Sequence, residues 1–230
     1  MSPETRRTLA RLAEPGYQAF QQSLIPGVQN LLGVRLPALH RLAARLAAGD
    51  WRRELAEPDQ CYEETLLRGL VIGRVSLSLP LAEALGLVEG YLPLIDNWCT
   101  CDTFCSCLKL ARAQPEACFA LAARAAASPQ EYTARFGTVL LLRWWATPQA
   151  LPAVLRVYRG VCCPAFYARM ALAWGYAELA AVDFDAVRSA MDAAELDDFT
   201  YNKALQKMRE SRRITPRQKE LCQSCKRVKP

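Results

Sequence analysis

The sequence predicts an all-α protein on three observations: a helix-forming composition, recurrent capping dipeptides and an even spacing of helix starts. Its 230 residues include 36 Ala and 33 Leu against 11 Gly, a bias toward the residues that cost least in a helix. Ser or Thr followed by Pro places an N-cap before the favoured first helical residue. It occurs four times, at Ser2-Pro3, Ser128-Pro129, Thr147-Pro148 and Thr215-Pro216. Ser128 with Glu131 also spells a capping box. Pro37, Pro80, Pro115 and Pro164 mark further first turns, and Gly49 a C-terminal stop. From there starts fall near residues 80, 98, 115, 129, 148, 164, 184 and 199. With one helix about every 17 residues, two make a unit of roughly 34, close to the period of helical-hairpin repeats.

Hairpins of this kind bury their apolar faces only by stacking on their neighbours. The prediction is therefore a HEAT-like helical-repeat solenoid, an α-α superhelix with a concave basic surface. Residues 1–230 are expected to form a single domain with a short basic tail from about residue 214. Hydrophobic residues at 52%, charged residues at 23% and a mean hydropathy of −0.02 exclude a disordered or fibrous chain. Arg124 and Arg143 interrupt the longest apolar runs, so no membrane span is expected. No apolar stretch follows Met1 to Arg7, which predicts no secretory signal and a cytoplasmic location.

Ten cysteines in such a chain read as reduced thiols. Cys99, Cys101, Cys105 and Cys107 are closely spaced, and Cys222 and Cys225 form a C-x2-C pair. On a helix, however, Cys101 and Cys105 share a face while Cys99 and Cys107 point elsewhere, so four tetrahedral ligands do not converge. No metal or other cofactor is expected. His40 is the lone histidine, which gives Ser/His or metal-based hydrolysis little support.

The net charge of +6 is uneven. Residues 203–230 carry +8 and residues 1–202 carry −2, so the positive excess suits either a polyanion or a solvated basic helix with a frayed tail. Lys226, Arg227 and Lys229 follow the last cap signal and are expected to fray. In stacked hairpins alternate helices line one surface, which places those starting near 98, 129, 164 and 199 together. They carry Trp98 and Asp102 at i and i+4, then Arg135, then Arg169 and Trp174, then Lys203 and Lys207 behind the cap Asp197-Asp198. A carboxylate, two tryptophans and several cations on one wall suit a polyanion site with a reactive centre. The competing reading buries the tryptophans in the core and gives Asp102 an internal hydrogen bond.

Four segments occur in order: Asp96-Asn-Trp-Cys-Thr-Cys-Asp102, Ala134-Arg-Phe-Gly-Thr-Val-Leu140, Tyr167-Ala-Arg-Met-Ala-Leu-Ala-Trp174 and Leu196-Asp-Asp-Phe-Thr-Tyr-Asn-Lys-Ala-Leu205. With the upstream Leu32-Gly-Val-Arg-Leu-Pro37, they resemble the AlkD-like DNA alkylation repair family from about Tyr17 to Arg213. The resemblance implies a superhelix that cups duplex DNA and hydrolyses the N-glycosidic bond of cationic alkylated purines such as 3-methyladenine and 7-methylguanine, leaving the lesion stacked. It implies Trp98 and Trp174 as aromatic walls for the deoxyribose and Asp102 as the catalytic carboxylate. Arg135 is implied to hold the DNA backbone, and Arg169 to contact phosphate. Cysteines around the catalytic pair and Phe136 depart from the family's usual pattern and bear on substrate range.

The chemistry fits independently of the resemblance. A purine alkylated at N3 or N7 is a cationic leaving group, so cleavage needs no strong general acid but does need an anion beside the developing oxocarbenium sugar. A monomer acting on double-stranded DNA with alkylated bases is expected, associated with the nucleoid when bound and with no membrane partner. A non-catalytic helical-repeat protein that binds DNA structures, or a protein scaffold, remains the alternative.

Overall fold

The structure is a computed structural model that describes residues 1–227. Fifteen α-helices and two single 3-10 turns make up its secondary structure, with no strand among the described residues. The helices gather into two compact units that divide between residues 115 and 116.

The first unit contains α1 (Pro3–Leu12), α2 (Pro15–Leu24), α3 (Leu36–Ala48), α4 (Trp51–Ala56), α5 (Tyr62–Val75), α6 (Leu81–Tyr91), α7 (Trp98–Cys107) and α8 (Leu110–Ala113). Here α3 packs on α5 and α5 on α7, so alternate helices form one layer, as hairpin stacking requires. The core joins Leu39, Leu42 and Ala43 of α3 to Leu66, Leu67, Leu70 and Val71 of α5. Glu63 on α5 is buried, and its carboxylate accepts the backbone N–H groups of Leu32, Gly33 and Val34 at 2.7–3.1 Å. Those bonds fix the chain entering α3. Gly33 has φ +88°, and a Cβ there would lie 2.7 Å from Gln18, so only glycine fits this turn.

The second unit contains α9 (Pro115–Ala126), α10 (Glu131–Trp144), α11 (Leu151–Arg159), α12 (Phe166–Ala180), α13 (Phe184–Ala193), α14 (Asp198–Glu210) and α15 (Pro216–Ser224). The alternate-helix layer recurs as α10 on α12 on α14. Ser2, Asp183, Asp197 and Thr215 each cap a helix through the side chain, and Thr215 with Gln218 closes a capping box.

Three expectations change. Ser128 and Glu131 do not form a capping box. The Ser128 hydroxyl accepts the Gln130 N–H at 3.1 Å, and Glu131 instead accepts the Tyr167 N–H at 2.6 Å. Thr147 binds the Ala150 N–H at 3.3 Å and closes a turn, so α11 begins at Leu151, three residues after Pro148. Arg227 does not fray. Its guanidinium lies over the Tyr201 ring at 3.9 Å and donates to the Leu196 carbonyl at 2.6 Å, and its backbone exchanges two hydrogen bonds with Asn202. Lys226 is exposed, and Lys229 lies outside the described residues.

Candidate active site

In the first unit, the site is organised by α7. The Asn97 side chain accepts the Thr100 N–H at 2.9 Å and donates to the Thr100 hydroxyl at 2.9 Å, fixing the start of the helix one residue before Trp98. Trp98 and Asp102 then occupy successive turns of one face. The Trp98 ring packs partly on the core, and its indole N–H donates to the Leu24 carbonyl at 3.1 Å. It is half-buried, so one part of the ring remains at the surface. On the opposite faces Cys101 and Cys105 are buried, as the helical period requires.

Asp102 is half-buried and borders a cavity of about 580 Å³ between α3, α5 and α7. Leu36, Leu70 and Leu77 supply apolar lining, and Thr103 and Ser106 supply hydroxyls. His40, Arg74 and Lys109 face the same space. Sequence reasoning missed these three. They belong to α3, the last turn of α5 and the turn after α7; the alternate-helix rule reaches His40 and Arg74 only when carried upstream of residue 80, and Lys109 lies in a turn between helices, which the rule does not cover. Burial lowers the His40 pKa and the nearby Arg74 lowers it further, so the imidazole is held neutral to lower pH than usual.

Two of the cysteines around this pair, Cys99 and Cys107, are held toward the thiol form. Burial raises the Cys99 pKa, and the negative charge of Asp102 acts in the same direction. Cys107 is pushed up to about 12 by burial, and its S–H points at the Phe104 carbonyl at 3.3 Å. A Cβ on Gly73 would lie 2.6 Å from the Cys107 sulfur, so α5 and α7 meet closely at the cavity floor because residue 73 is glycine. Among the described residues no three His, Cys, Asp or Glu side chains gather where a metal ion would be held.

The second unit carries the other predicted residues. Arg135 is buried, at 6% exposure, and donates to the Tyr167 carbonyl at 3.0 Å. Arg169 pairs with Asp197 at 3.2 Å and stacks on Phe199 at 4.6 Å. Trp174 is half-buried, and its indole N–H donates to Glu178 at 3.1 Å. Glu178 also pairs with Arg213. Lys203 donates to Gln206 at 2.8 Å, and Lys207 is half-buried one turn further along α14. Trp98 and Trp174 are both half-buried, and the Trp98 ring packs against the core of the first unit.

A model built from the sequences of DNA alkylation repair enzymes matches residues 5–208. The chain belongs to the DNA alkylation repair enzyme family. No curated relative matches it. The family match runs from the first unit into the second as far as residue 208 and includes every candidate site residue from Trp98 to Lys207. DNA alkylation repair is accordingly the role of the chain, and DNA its partner.

Proposed function

We propose that the chain is a DNA glycosylase that releases cationic alkylated purines, 3-methyladenine and 7-methylguanine, from duplex DNA. The observation that carries this reading is the pairing on α7 of a half-exposed indole with a carboxylate that borders a cavity. As the N-glycosidic bond breaks, positive charge moves from the purine to the sugar. The Asp102 carboxylate stabilises that charge and orients the water that attacks the anomeric carbon. The Trp98 face attracts the polarised C–H groups of the sugar. Trp174, whose ring is also half-exposed, serves as the second aromatic wall. The departing base needs no proton, because alkylation has already made it a leaving group.

Lys203 and Lys207 are proposed to contact the duplex backbone, with Arg169 contributing once its partner Asp197 yields to phosphate. Arg135 is assigned here to α12 before DNA, since its guanidinium is inside the protein. The enzyme is proposed to act as a monomer in the cytoplasm. Incubation with duplex containing 7-methylguanine, followed by measurement of free base, tests the reading. Salt-dependent duplex binding without base release would instead establish a non-catalytic DNA-binding member of the family.

A further inference from the structure

The cavity beside Asp102 has a composition that base excision alone does not call for. Its charged lining groups are Asp102, Arg74 and Lys109, so permanent cations outnumber the carboxylate two to one. Arg74 is exposed and spends one N–H on the His40 carbonyl at 3.3 Å, leaving most of its planar fork for another acceptor. Lys109 is exposed and carries a rotatable ammonium. No Phe, Tyr or Trp is among the lining residues, so the cavity lacks the large aromatic platforms on which a nucleobase stacks best. Its apolar part, Leu36, Leu70 and Leu77, suits the hydrocarbon face of a sugar instead.

We propose that this recess holds a phosphate of the lesion-bearing strand, next to the nucleotide on which Asp102 acts, with Arg74 and Lys109 as its cations and His40 as a further donor. The inference rests on the glycosylase reading of Asp102. A phosphate anchored one sugar away fixes the register of the strand, and register decides whether the carboxylate meets the anomeric carbon. The same cations screen the carboxylate from the phosphate that it must approach. Arg74 and Lys109 are therefore binding and positioning residues, distinct from the group that stabilises the transition state.

The test couples the protein variant to a neutralised phosphate. Duplexes carry one 7-methylguanine and a single methylphosphonate, moved stepwise along the lesion strand, and equilibrium binding is measured for wild type and for Arg74→Gln with Lys109→Gln. Both side chains are exposed, and an unchanged melting temperature verifies the fold. The double variant is expected to lower the slope of log K against log salt by about 0.9, the contribution of one phosphate contact. One methylphosphonate beside the lesion should weaken wild type to the same extent and cost the double variant nothing further. An equal penalty in both proteins at every position would overturn the inference. Base release by wild type is followed on the same duplexes. Coupling without release would sink the glycosylase reading and keep the phosphate subsite, whereas release without coupling would sink the subsite alone.

Discussion

Arg135 and Tyr167 are joined through the main chain: the buried guanidinium donates to the Tyr167 carbonyl at 3.0 Å. One turn earlier on the same helix, Glu131 accepts the Tyr167 N–H at 2.6 Å. The Tyr132 ring stacks on the Tyr167 ring at 5.6 Å. Two side chains at i and i+4 on α10 thus grip the N–H and the C=O of one residue at the first turn of α12. That turn starts the helix that carries Arg169 and Trp174, so a residue implied by resemblance to contact DNA holds a neighbouring helix in place.

Arg135→Ala should accordingly destabilise the fold. Removing the charged donor leaves a carbonyl without its partner and a gap in a buried interface, a loss of about 2–3 kcal/mol. Urea denaturation measures it. An unchanged midpoint combined with weaker duplex binding would mean that the guanidinium serves phosphate and not Tyr167.

Asp102→Asn keeps size and hydrogen-bonding capacity but removes the charge. Since the side chain is half-buried and borders the cavity, folding and duplex affinity should hold. Single-turnover release of 7-methylguanine should fall by about 10²-fold or more, the scale of one lost electrostatic stabiliser. A near wild-type rate would remove Asp102 from the chemistry.

The helix plan was legible in the sequence because capping is local. Starts near 80, 98, 115, 184 and 199 fall within one residue of Leu81, Trp98, Pro115, Phe184 and Asp198. Where a cap residue had an alternative partner, local reading failed: Glu131 is drawn 36 positions away to Tyr167, and no motif of spacing records that preference. Arg227 is missed for the same reason, since its contact with Tyr201 depends on how the chain returns across α14. Trp98 and Asp102 were legible because their pairing is a property of one helix. Their neighbours His40, Arg74 and Lys109 were not, because three elements distant in sequence must stack before they share a space.

Trp174→Ala should weaken lesion processing more than binding to undamaged duplex. The ring is half-buried, and its N–H bonds to Glu178, itself paired with Arg213. Its deletion should therefore cost less than the roughly 3–5 kcal/mol of a fully packed tryptophan. Comparing release rates with duplex affinity, alongside a thermal melt, separates these effects. Equal losses in both would assign Trp174 to general binding.

Duplex affinity should fall steeply with salt. Three phosphate contacts, from Arg169, Lys203 and Lys207, would give a slope of roughly −2.7. The buried position of Arg135 and the ion pair of Arg169 shift the expected weight to α14. Lys203→Gln with Lys207→Gln should reduce the slope by nearly two, and Arg135→Ala by less than one. Arg227→Gln should leave the slope nearly unchanged while lowering stability, since that side chain is spent on Tyr201 and Leu196. The opposite ranking would move the DNA path to the C-terminal segment.

Asp197 ties α14 to pH. It caps the helix by accepting the Thr200 N–H at 3.1 Å and the Thr200 hydroxyl at 2.6 Å, and it pairs with Arg169 at 3.2 Å. Burial on its own raises the carboxyl pKa, but the Thr200 bonds and the Arg169 charge outweigh it and hold the value below the ordinary range. A depressed native pKa means that the unfolded chain takes up the proton first as pH falls. The stabilisation is therefore complete above the ordinary aspartate pKa of about 4 and lost as pH drops through the lower native value. At 47% exposure the ion pair is screened by solvent, so the cap sets the scale. Asp197→Ala should cost about 1 kcal/mol at pH 7. Its deficit against wild type should narrow below about pH 4, as wild type loses the charged cap. Asp197→Asn keeps an acceptor at the N-cap and should recover most of the loss at neutral pH. Denaturation curves of the three proteins between about pH 7 and pH 3 decide it: a gap between wild type and Asp197→Ala that stays constant across that range would show that the ionised carboxylate is not what holds the start of α14.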